Sequence, residues 1–388
     1  MPRCVGRWWL AWLLGRVGVA FVLRAPASAP SARNAGEAQD LSKRMTLTKF
    51  MIAQTAKKPE LEDLESLMAS IQMACKTISA LVQHAAVDGM TGLDGAVNVQ
   101  GEDQKKLDVI SNDVLKAALS YTGKLGIVAS EEESFPVIVE EAYDSRYVAV
   151  FDPLDGSSNI DASIATGTIF GIFEQTEECL VNDVAGGGEL DAAAQRCLLN
   201  TLQPGKSLVA AGYCMYSSST IMVITVGDGV QGFTLDPRVG DFVLSHPDMR
   251  IPNRGSIYSV NEANSLGWDQ ELNDYILQCK QNGYSSRYIG SMVGDVHRTI
   301  LYGGLYAYPA DKKHKLGKIR LLYEAAPISF IVEQAGGKCS TGRAPIIGIV
   351  PTSVHQRTPV FLGSTDDIDD LEAHYERADA RRRADEAA

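Results

Sequence analysis

Hydrophobic residues recur at three- and four-residue intervals between positions 64 and 82, the spacing that places side chains on one face of an α-helix. The residues on that face are Leu64, Leu67, Met68, Ile71, Cys75, Ile78 and Val82. This segment is therefore predicted to be an amphipathic helix with one buried side. A second helix is predicted over residues 104–122.

Unbroken apolar runs, in contrast, predict buried strands over residues 126–130, 146–151 and 165–174. Residues 207–236 supply further sheet segments, and beyond Pro252 strand and helix patterns alternate, as in α/β proteins. The predicted fold class is therefore α/β. Because 388 residues exceed what one hydrophobic core usually organises, two packed units are expected.

The charge of the chain limits its partners. The formal net charge is −12 and the pI is about 5.1, which argues against nucleic acid as the main partner. An acidic protein can still bind a phosphorylated small molecule when cations mediate the contact. The seven cysteines form no CxxC pair and no zinc-binding spacing with histidine, so most are expected to be buried apolar residues.

The first 44 residues differ from the rest, since they carry seven Lys or Arg residues but only two acids. An apolar run, "WWLAWLLG", is followed by an Ala-, Ser- and Arg-rich stretch. Arg16 and Arg24 divide the apolar residues into pieces too short to span a bilayer. Residues 1–44 are therefore predicted to be a cleaved targeting segment, of the bipartite kind that leads to plastids; simple secretion is the alternative.

The richest chemistry follows the predicted strand 146–151, in "FDPLDGSSNID". Asp152 and Asp155 come at the end of this strand, where open α/β sheets place ligands, and Pro153 stiffens the turn between them. Two converging carboxylates suit Mg²⁺ or Mn²⁺. The backbone amides and hydroxyls of residues 156–158 can hold a phosphate. The alternative is an Asp-capped surface turn without a ligand.

Two further sets of acids strengthen this interpretation. Glu131 and Glu132 follow a neighbouring predicted strand, and Glu324 follows "GKIRLLY". Several carboxylates at one point favour two or more metal ions that assist phosphoryl transfer. The chain contains no phosphate-binding loop of the Walker type, kinase signature or dinucleotide fingerprint. Water is then the simplest attacking group, and the predicted reaction is hydrolysis of a phosphate ester.

At these positions the sequence resembles the fructose-1,6-bisphosphatases, within the larger group of Mg²⁺-dependent, lithium-sensitive phosphatases. The motifs that carry the resemblance include "VASEEES", "FDPLDGSSNID", "GTIFGIF", "RYIGSMVGDVHR" and "GKIRLLYEAAP", and it covers about residues 45–375. It implies a layered α-β-α-β-α sugar-phosphatase fold. The active site would lie between a metal- and phosphate-binding domain over residues 45–249 and a sugar-binding domain over residues 250–380.

The resemblance also implies roles for individual residues. Asp108 and Glu132 would activate the attacking water, and Asp103 would lie on a mobile loop that closes over the metals. The implied metal ligands are Glu131, Glu132, Asp152, Asp155, Glu324 and the carbonyl of Leu154. The implied 1-phosphate site is Gly156, Ser157 and Ser158. The implied 6-phosphate and sugar site is Asn261, Tyr288, Tyr308 and Lys318, with Arg287 reaching in from a neighbouring subunit of a homotetramer.

Residues 174–205 form a polar, Gly- and Ala-rich stretch that is predicted to be a long surface loop. This loop resembles the redox loop of plastid fructose-1,6-bisphosphatases, with Cys179 and Cys197 as the paired cysteines and thioredoxin as the reductant. An unpaired pair of surface cysteines is the alternative. The third cysteine of the plastid pattern, near Leu202, is absent.

The sequence departs from the family pattern at two other places. "NEAN" stands where the 6-phosphate region usually reads NEGY, so Asn264 replaces a tyrosine. "LEDLE" at residues 61–65 and Glu174 replace the residues with which cytosolic members bind the inhibitor AMP. Because acids repel a phosphate, we expect AMP not to inhibit this chain.

The predicted function is therefore Mg²⁺-dependent hydrolysis of the 1-phosphate of fructose 1,6-bisphosphate in the plastid stroma, under thioredoxin control, in the Calvin cycle. No nucleic acid partner is expected, and no membrane partner for the mature form. The closest alternative is a sedoheptulose-1,7-bisphosphatase. An alternative of another class is a non-catalytic sugar-phosphate sensor that keeps the fold.

Overall fold

The computed structural model describes residues 44–97, 103–139, 146–176 and 198–386. Residues 1–43 of the predicted targeting segment lie outside these residues, and so do Cys179 and Cys197. All described residues belong to one unit, Arg44–Ala388. The division of this unit into two domains near residue 250 remains a prediction.

A large sheet forms the first β layer. Along the sheet the strands lie in the order β10-β9-β8-β7-β6-β5-β3-β4. Only β3 and β5 run parallel, and every other neighbouring pair is antiparallel. The strands are β3 (Leu125–Ser130), β4 (Val137–Ile138), β5 (Tyr147–Asp155), β6 (Thr166–Glu174), β7 (Leu208–Tyr216), β8 (Thr220–Thr225), β9 (Gln231–Asp236) and β10 (Asp241–His246).

A smaller sheet forms the second β layer, with the strand order β12-β11-β13-β17-β15. Its strands are β11 (Ile257–Ser259), β12 (Ser285–Ser286), β13 (Leu305–Tyr308), β15 (Lys338–Ser340) and β17 (Val360–Gly363). Two pairs of short strands lie outside both sheets. These pairs are β1 (Leu93–Val97) with β2 (Asp103–Lys105), and β14 (Ile319–Arg320) with β16 (Arg357–Thr358).

The helices of the described residues pack on the faces of the two sheets. They are α1 (Leu47–Thr55), α2 (Glu62–His84), α3 (Lys106–Ser120), α4 (Gln270–Gln281), α5 (Met292–Tyr302), α6 (Ala326–Gln334) and α7 (Thr365–Glu386). The helix predicted over residues 64–82 is thus confirmed as α2. The helix predicted over residues 104–122 begins later than expected, because β2 continues to Lys105.

The core explains why the layers stack as they do. Along β5, Val148 and Val150 pack in one hydrophobic cluster with residues of α5 and α6, whereas Ala149 and Phe151 pack in a second cluster with α2. Alternate side chains of a strand point to opposite faces, so both faces of the large sheet are buried under helices. A third cluster joins α4 and α7 to the small sheet. The layered α/β fold class is thus confirmed.

Three details differ from the pattern-based expectation. The acidic motif is not a turn after a strand: β5 continues through Pro153 to Asp155, which pairs with Gly167 after a shift of register. Helix α1 was not predicted, and the charged tail after Tyr375, for which the sequence predicts a frayed helix end, is helical up to Glu386. Within the described residues, we find no helix that combines the length and the apolar character needed to cross a membrane.

Candidate active site

Three buried carboxylates converge where β5 meets the turn before α6. Asp152, Asp155 and Glu324 each place a carboxylate oxygen within 4.8 Å of the others. The register shift in β5 allows both aspartates to face the same point, and one turn of π-helix, Leu321–Ala325, carries Glu324 to them. Each side chain is at least nine-tenths buried.

Such a cluster is electrostatically costly without a cation. Burial raises the pKa of Asp155 to about 7. Burial, together with the negative charges of Glu131, Asp155 and Glu324, raises the pKa of Asp152 well above its usual value. Three carboxylate oxygens in one buried position fit a Mg²⁺ or Mn²⁺ ion, which would supply the positive charge that the cluster lacks. The residues present therefore fit a divalent metal ion.

An arginine that the sequence analysis did not single out completes this region. The Arg320 guanidinium contacts the Glu131 carboxylate at 2.7 Å, and both side chains are largely buried. The Arg320 backbone amide also donates to Glu324 Oε2 at 2.5 Å. Arg320 thus orients two predicted metal ligands. Its signal in the sequence was its place in "GKIRLLYE", between the predicted substrate residue Lys318 and the predicted ligand Glu324.

The predicted water-activating residues lie beside this cluster. Asp108, on the first turn of α3, accepts a hydrogen bond from the Lys105 amide at 2.8 Å. Burial raises its pKa to about 7, the charge of Glu132 adds to the shift, and a hydrogen bond with Ser157 opposes it. The Gln104 side-chain amide donates to Glu132. Asp103 begins β2, and its side chain lies outside the described part of the chain.

The predicted phosphate site adjoins both groups. Gly156 has a φ of +74°, a left-handed conformation that suits glycine. Ser157 begins the 3₁₀ turn Ser157–Ala162, and Ser158 is exposed. Leu154 is buried in the preceding strand β5. A side chain at position 156 would lie 3.3 Å from Ser291 Oγ, so the turn packs closely against the start of α5.

The predicted sugar-binding residues are more exposed and come from separate elements. Tyr288 is 37% exposed, and burial of the rest of its side chain, together with nearby Tyr308, raises its pKa to about 12. Asn261 caps a 3₁₀ turn by accepting from the Ala263 amide at 3.2 Å. Arg287 and Lys318 are exposed. The structure brings the two tyrosines together.

The ends of the predicted redox loop are joined, although both of its cysteines lie outside the described residues. The backbone amide and the hydroxyl of Thr176 donate to Asn200 Oδ1 at 3.0 and 2.9 Å. Gln203 Nε2 donates to the Glu174 carbonyl at 2.8 Å. The cysteines that the structure does describe are free and buried: Cys75, Cys214, Cys279 and Cys339.

Comparison with known proteins decides the family. The chain matches the family model "Fructose-1-6-bisphosphatase, N-terminal domain" over residues 45–247 and the corresponding C-terminal model over residues 251–376. The chain belongs to the fructose-1,6-bisphosphatase family. As a member of this family, it is an enzyme of the phosphoric monoester hydrolase class. The resemblance found in the sequence is thus confirmed.

Chloroplast members of the family are similar over most of their length. "Fructose-1,6-bisphosphatase 1, chloroplastic" of Arabidopsis thaliana is 53% identical over 353 residues, which cover 90% of this chain and 85% of the relative. The chloroplastic fructose-1,6-bisphosphatase of Spinacia oleracea is 54% identical over 335 residues, covering 85% and 81%. The holo crystal structure of Leishmania major fructose-1,6-bisphosphatase superimposes with a TM-score of 0.80 at 42% identity, covering 86% and 99%.

Proposed function

We propose that this fructose-1,6-bisphosphatase family member hydrolyses the 1-phosphate of fructose 1,6-bisphosphate to fructose 6-phosphate and inorganic phosphate, with Mg²⁺ as the metal. The observation that carries the proposal is the position of the buried Asp152, Asp155 and Glu324 cluster directly before the 156–158 turn. A cation site and a phosphate cradle in contact are what a metal-dependent phosphatase requires. Mn²⁺ can substitute for Mg²⁺, since it takes the same oxygen ligands.

In this proposal the metal ions would be held by Glu131, Glu132, Asp152, Asp155, Glu324 and the Leu154 carbonyl. The bound ions would supply positive charge for the phosphoryl oxygens and lower the pKa of water. Arg320 keeps Glu131 and Glu324 in their orientations through its two contacts. Asp152, Leu154 and Asp155 belong to buried β5, Glu324 belongs to the buried π-helical turn, and Glu131 and Glu132 follow buried β3.

Asp108 and Glu132 orient the attacking water and accept its proton. A carboxylate whose pKa is raised to about 7 is matched to proton transfer at neutral pH, which supports this role for Asp108. Its hydrogen bond with Ser157 links it to the phosphate turn. Asp103 is assigned to the loop that closes over the site.

The remaining residues hold the substrate. Amides and hydroxyls of Gly156, Ser157 and Ser158 bind the 1-phosphate, and the start of α5 adds a favourable dipole. The 6-phosphate and sugar are bound by Asn261, Tyr288, Tyr308 and Lys318, with Arg287 supplied by a neighbouring subunit of a homotetramer. Exposed cations at this end suit an anionic ligand.

Regulation is assigned to Cys179 and Cys197. A bridge between them closes a loop whose chain entropy is worth roughly 3 kcal/mol, enough to favour one of two loop arrangements. Thioredoxin reduces the bridge by exchange, so its own dithiol becomes the disulfide. The joined loop ends near Thr176 and Asn200 connect such a change to β6. The chloroplastic relatives support plastid localisation and a role in the Calvin cycle; a presequence within residues 1–44 remains part of the proposal.

One assay tests these assignments. The chain from Arg44 onward is incubated with Mg²⁺ and either fructose 1,6-bisphosphate or sedoheptulose 1,7-bisphosphate, with and without reduced thioredoxin. We expect phosphate release mainly from the fructose ester, and faster release after reduction. Preference for the seven-carbon sugar would indicate the sedoheptulose bisphosphatase, and no release under any condition would indicate a sensor. Cys179→Ser is expected to remove the dependence on reductant.

A further inference from the structure

A buried carboxylate outside the predicted site holds the backbone of the turn that carries Tyr288. Asp295, on the first turn of α5, is fully buried. Its oxygens accept hydrogen bonds from the amides of Ile289, at 3.0 and 3.1 Å, and Gly290, at 3.0 Å. They also accept from Ser259 Oγ at 2.8 Å and from the Arg298 guanidinium at 2.6 Å. Two of these donors are backbone amides of the turn, and the other two are the side chains of Ser259 and Arg298.

The same network holds both ends of this turn, residues 287–291. Arg298, besides pairing with Asp295, donates to the Arg287 carbonyl at 2.9 Å. Gly290 has a φ of +83°, a left-handed conformation that glycine adopts readily. The backbone on either side of Tyr288 is therefore fixed by one charged pair.

The turn is also joined to the phosphate cradle. Asn159 Nδ2 donates to the Gly290 carbonyl at 3.0 Å, and the Val293 amide donates to Asp155 Oδ2 at 3.1 Å. Between these two contacts, the buried hydroxyl of Ser291 has no hydrogen-bond partner within the described residues and packs against Gly156. The start of α5 thus connects the predicted sugar site to the predicted 1-phosphate site.

We propose that Asp295 is a positioning residue for substrate: it holds the 287–291 turn so that Tyr288 meets the sugar phosphate while the phosphate cradle holds the other end. The inference rests on the proposed function. A carboxylate that served packing alone would be costly to bury, because removing two charges from water is seldom repaid by their attraction. Its hydrogen bonds to backbone amides and to Arg298 are directed at the turn instead.

The variant Asp295→Asn tests this role. It keeps the shape of the side chain but loses the charge and one acceptor. Because the turn contacts parts of the substrate that do not react, binding of the ground and transition states weakens equally. We expect the KM for fructose 1,6-bisphosphate to rise about 10- to 100-fold, the loss for charge-assisted hydrogen bonds, while kcat changes less than about threefold.

Asp367→Asn is the matched control. Asp367 is equally buried and accepts from a backbone amide, a tyrosine and an arginine, but at the start of α7. We expect it to lower the melting temperature without changing KM. Ser259→Ala, which removes one donor to Asp295, provides a milder variant should Asp295→Asn fail to fold; its KM is expected to rise about three- to tenfold.

A second readout separates this inference from the proposed function. Hydrogen exchange of the Ile289 and Gly290 amides should become faster in Asp295→Asn and Ser259→Ala but not in Asp367→Asn. If the parent releases no phosphate, the proposed function fails, and the exchange rates still show whether Asp295 holds the 287–291 turn. An unchanged KM in both turn variants, an equal rise in Asp367→Asn, or unchanged exchange of these amides would overturn the inference.

Discussion

The two ends of the candidate site are built in opposite ways. The proposed metal-binding end, called the metal end, consists of buried carboxylates whose oxygens lie within 4.8 Å of one another, carried by β5 and the π-turn. At the proposed sugar-binding end, called the sugar end, Arg287 and Lys318 are exposed, and Tyr288 is 37% exposed. The metal end is fixed by the core of the large sheet, whereas the sugar end depends on turns that other residues hold.

The two ends also differ in electrostatic energy, because, in the part of the chain that the structure describes, the unfavourable burial of like charges is confined to the metal end. Desolvated like charges raise the pKa values of Asp152 and Asp155, so the metal end is unfavourable until a cation arrives. The sugar end has no comparable cluster among the described residues, and its cations remain solvated. We therefore expect substitutions at the metal end to change activity and stability in opposite directions, and substitutions at the sugar end to change substrate affinity alone.

The largest effect is expected for Asp152→Asn. Removing one proposed ligand should lower kcat/KM roughly 1,000-fold, since electrostatic stabilisation by a bound metal would be a main source of rate acceleration. The pKa of Asp152 is raised in the folded state, so at neutral pH its charge opposes folding of the metal-free protein. The variant should therefore melt at a higher temperature than the parent in the presence of a chelator.

Asp241→Asn provides the control, because Asp241 pairs with Lys76 at the edge of the large sheet. It should leave kcat/KM unchanged and should not raise the melting temperature. Adding Mg²⁺ should raise the melting temperature of the parent and of this control more than that of Asp152→Asn. If Asp152→Asn melted at a lower temperature than the parent in chelator, the buried charges of the metal end would not destabilise the metal-free protein.

Acid is expected to lower the stability of the fold through a buried histidine of α5, the helix that follows the 287–291 turn. His297 of α5 is buried, accepts or donates a 2.8 Å hydrogen bond with the Tyr213 hydroxyl, and lies near His246. Burial, with a smaller contribution from His246, lowers its pKa to about 4. The unfolded chain, with a pKa near 6.5, takes up the proton first. Stability is therefore complete above about pH 6.5 and falls by roughly 3 kcal/mol as the pH decreases to 4.

Urea unfolding at several pH values measures this loss. His297→Gln keeps a hydrogen-bonding group near Tyr213 but does not titrate, so its unfolding free energy should fall less between pH 6.5 and 4. The difference between the two proteins removes the contributions of other titrating groups. Parallel pH profiles for parent and variant would show that His297 does not cause the acid sensitivity.

The sequence predicted the functional residues whose signal lies in neighbouring positions of the chain. It missed those whose roles depend on tertiary contacts. Asp152 and Asp155 were found because they end an apolar run, although the strand itself continues to Asp155 through a shifted register. Arg320 and Asp295 lie within motifs of the family, but nothing in the sequence indicates what their side chains contact. Their roles arise from contacts with residues 131 and 289–290, which the sequence alone does not bring together.

The same distinction explains the fold. The long α2 has a continuous apolar face and was predicted correctly, whereas α1 spans only Leu47–Thr55 and buries two of its residues. So short a helix is stabilised by its contacts with α2 and not by its own pattern. Glu324 was a candidate acid because it follows an apolar strand, but its assignment as a metal ligand came from the family resemblance, because a lone acid gives no reason to expect a partner 169 or more positions earlier.

A smaller effect is expected for Lys318→Ala. Lys318 is exposed, and its proposed partner is the phosphate that does not react. Its removal should raise the KM for fructose 1,6-bisphosphate about tenfold and leave kcat nearly unchanged, because ground and transition states lose the same contact. Lys315→Ala, an exposed lysine three residues away, serves as the control. A fall in kcat with constant KM would place Lys318 at the metal end instead.

The smallest effect, none at all, is expected for AMP. A cavity of about 310 Å³ between α1 and α2 is lined by Glu62 and Glu65, and Glu174 pairs with Arg146 at 2.9 Å. These acids repel the phosphate of a nucleotide, and the ion pair with Glu174 makes the Arg146 guanidinium less available to that phosphate. Initial rates of phosphate release should stay constant up to about 1 mM AMP, where a weak site would begin to fill. Inhibition at micromolar AMP would mean that a phosphate is accepted beside these acids, whose charges are more exposed to solvent than those of the metal end.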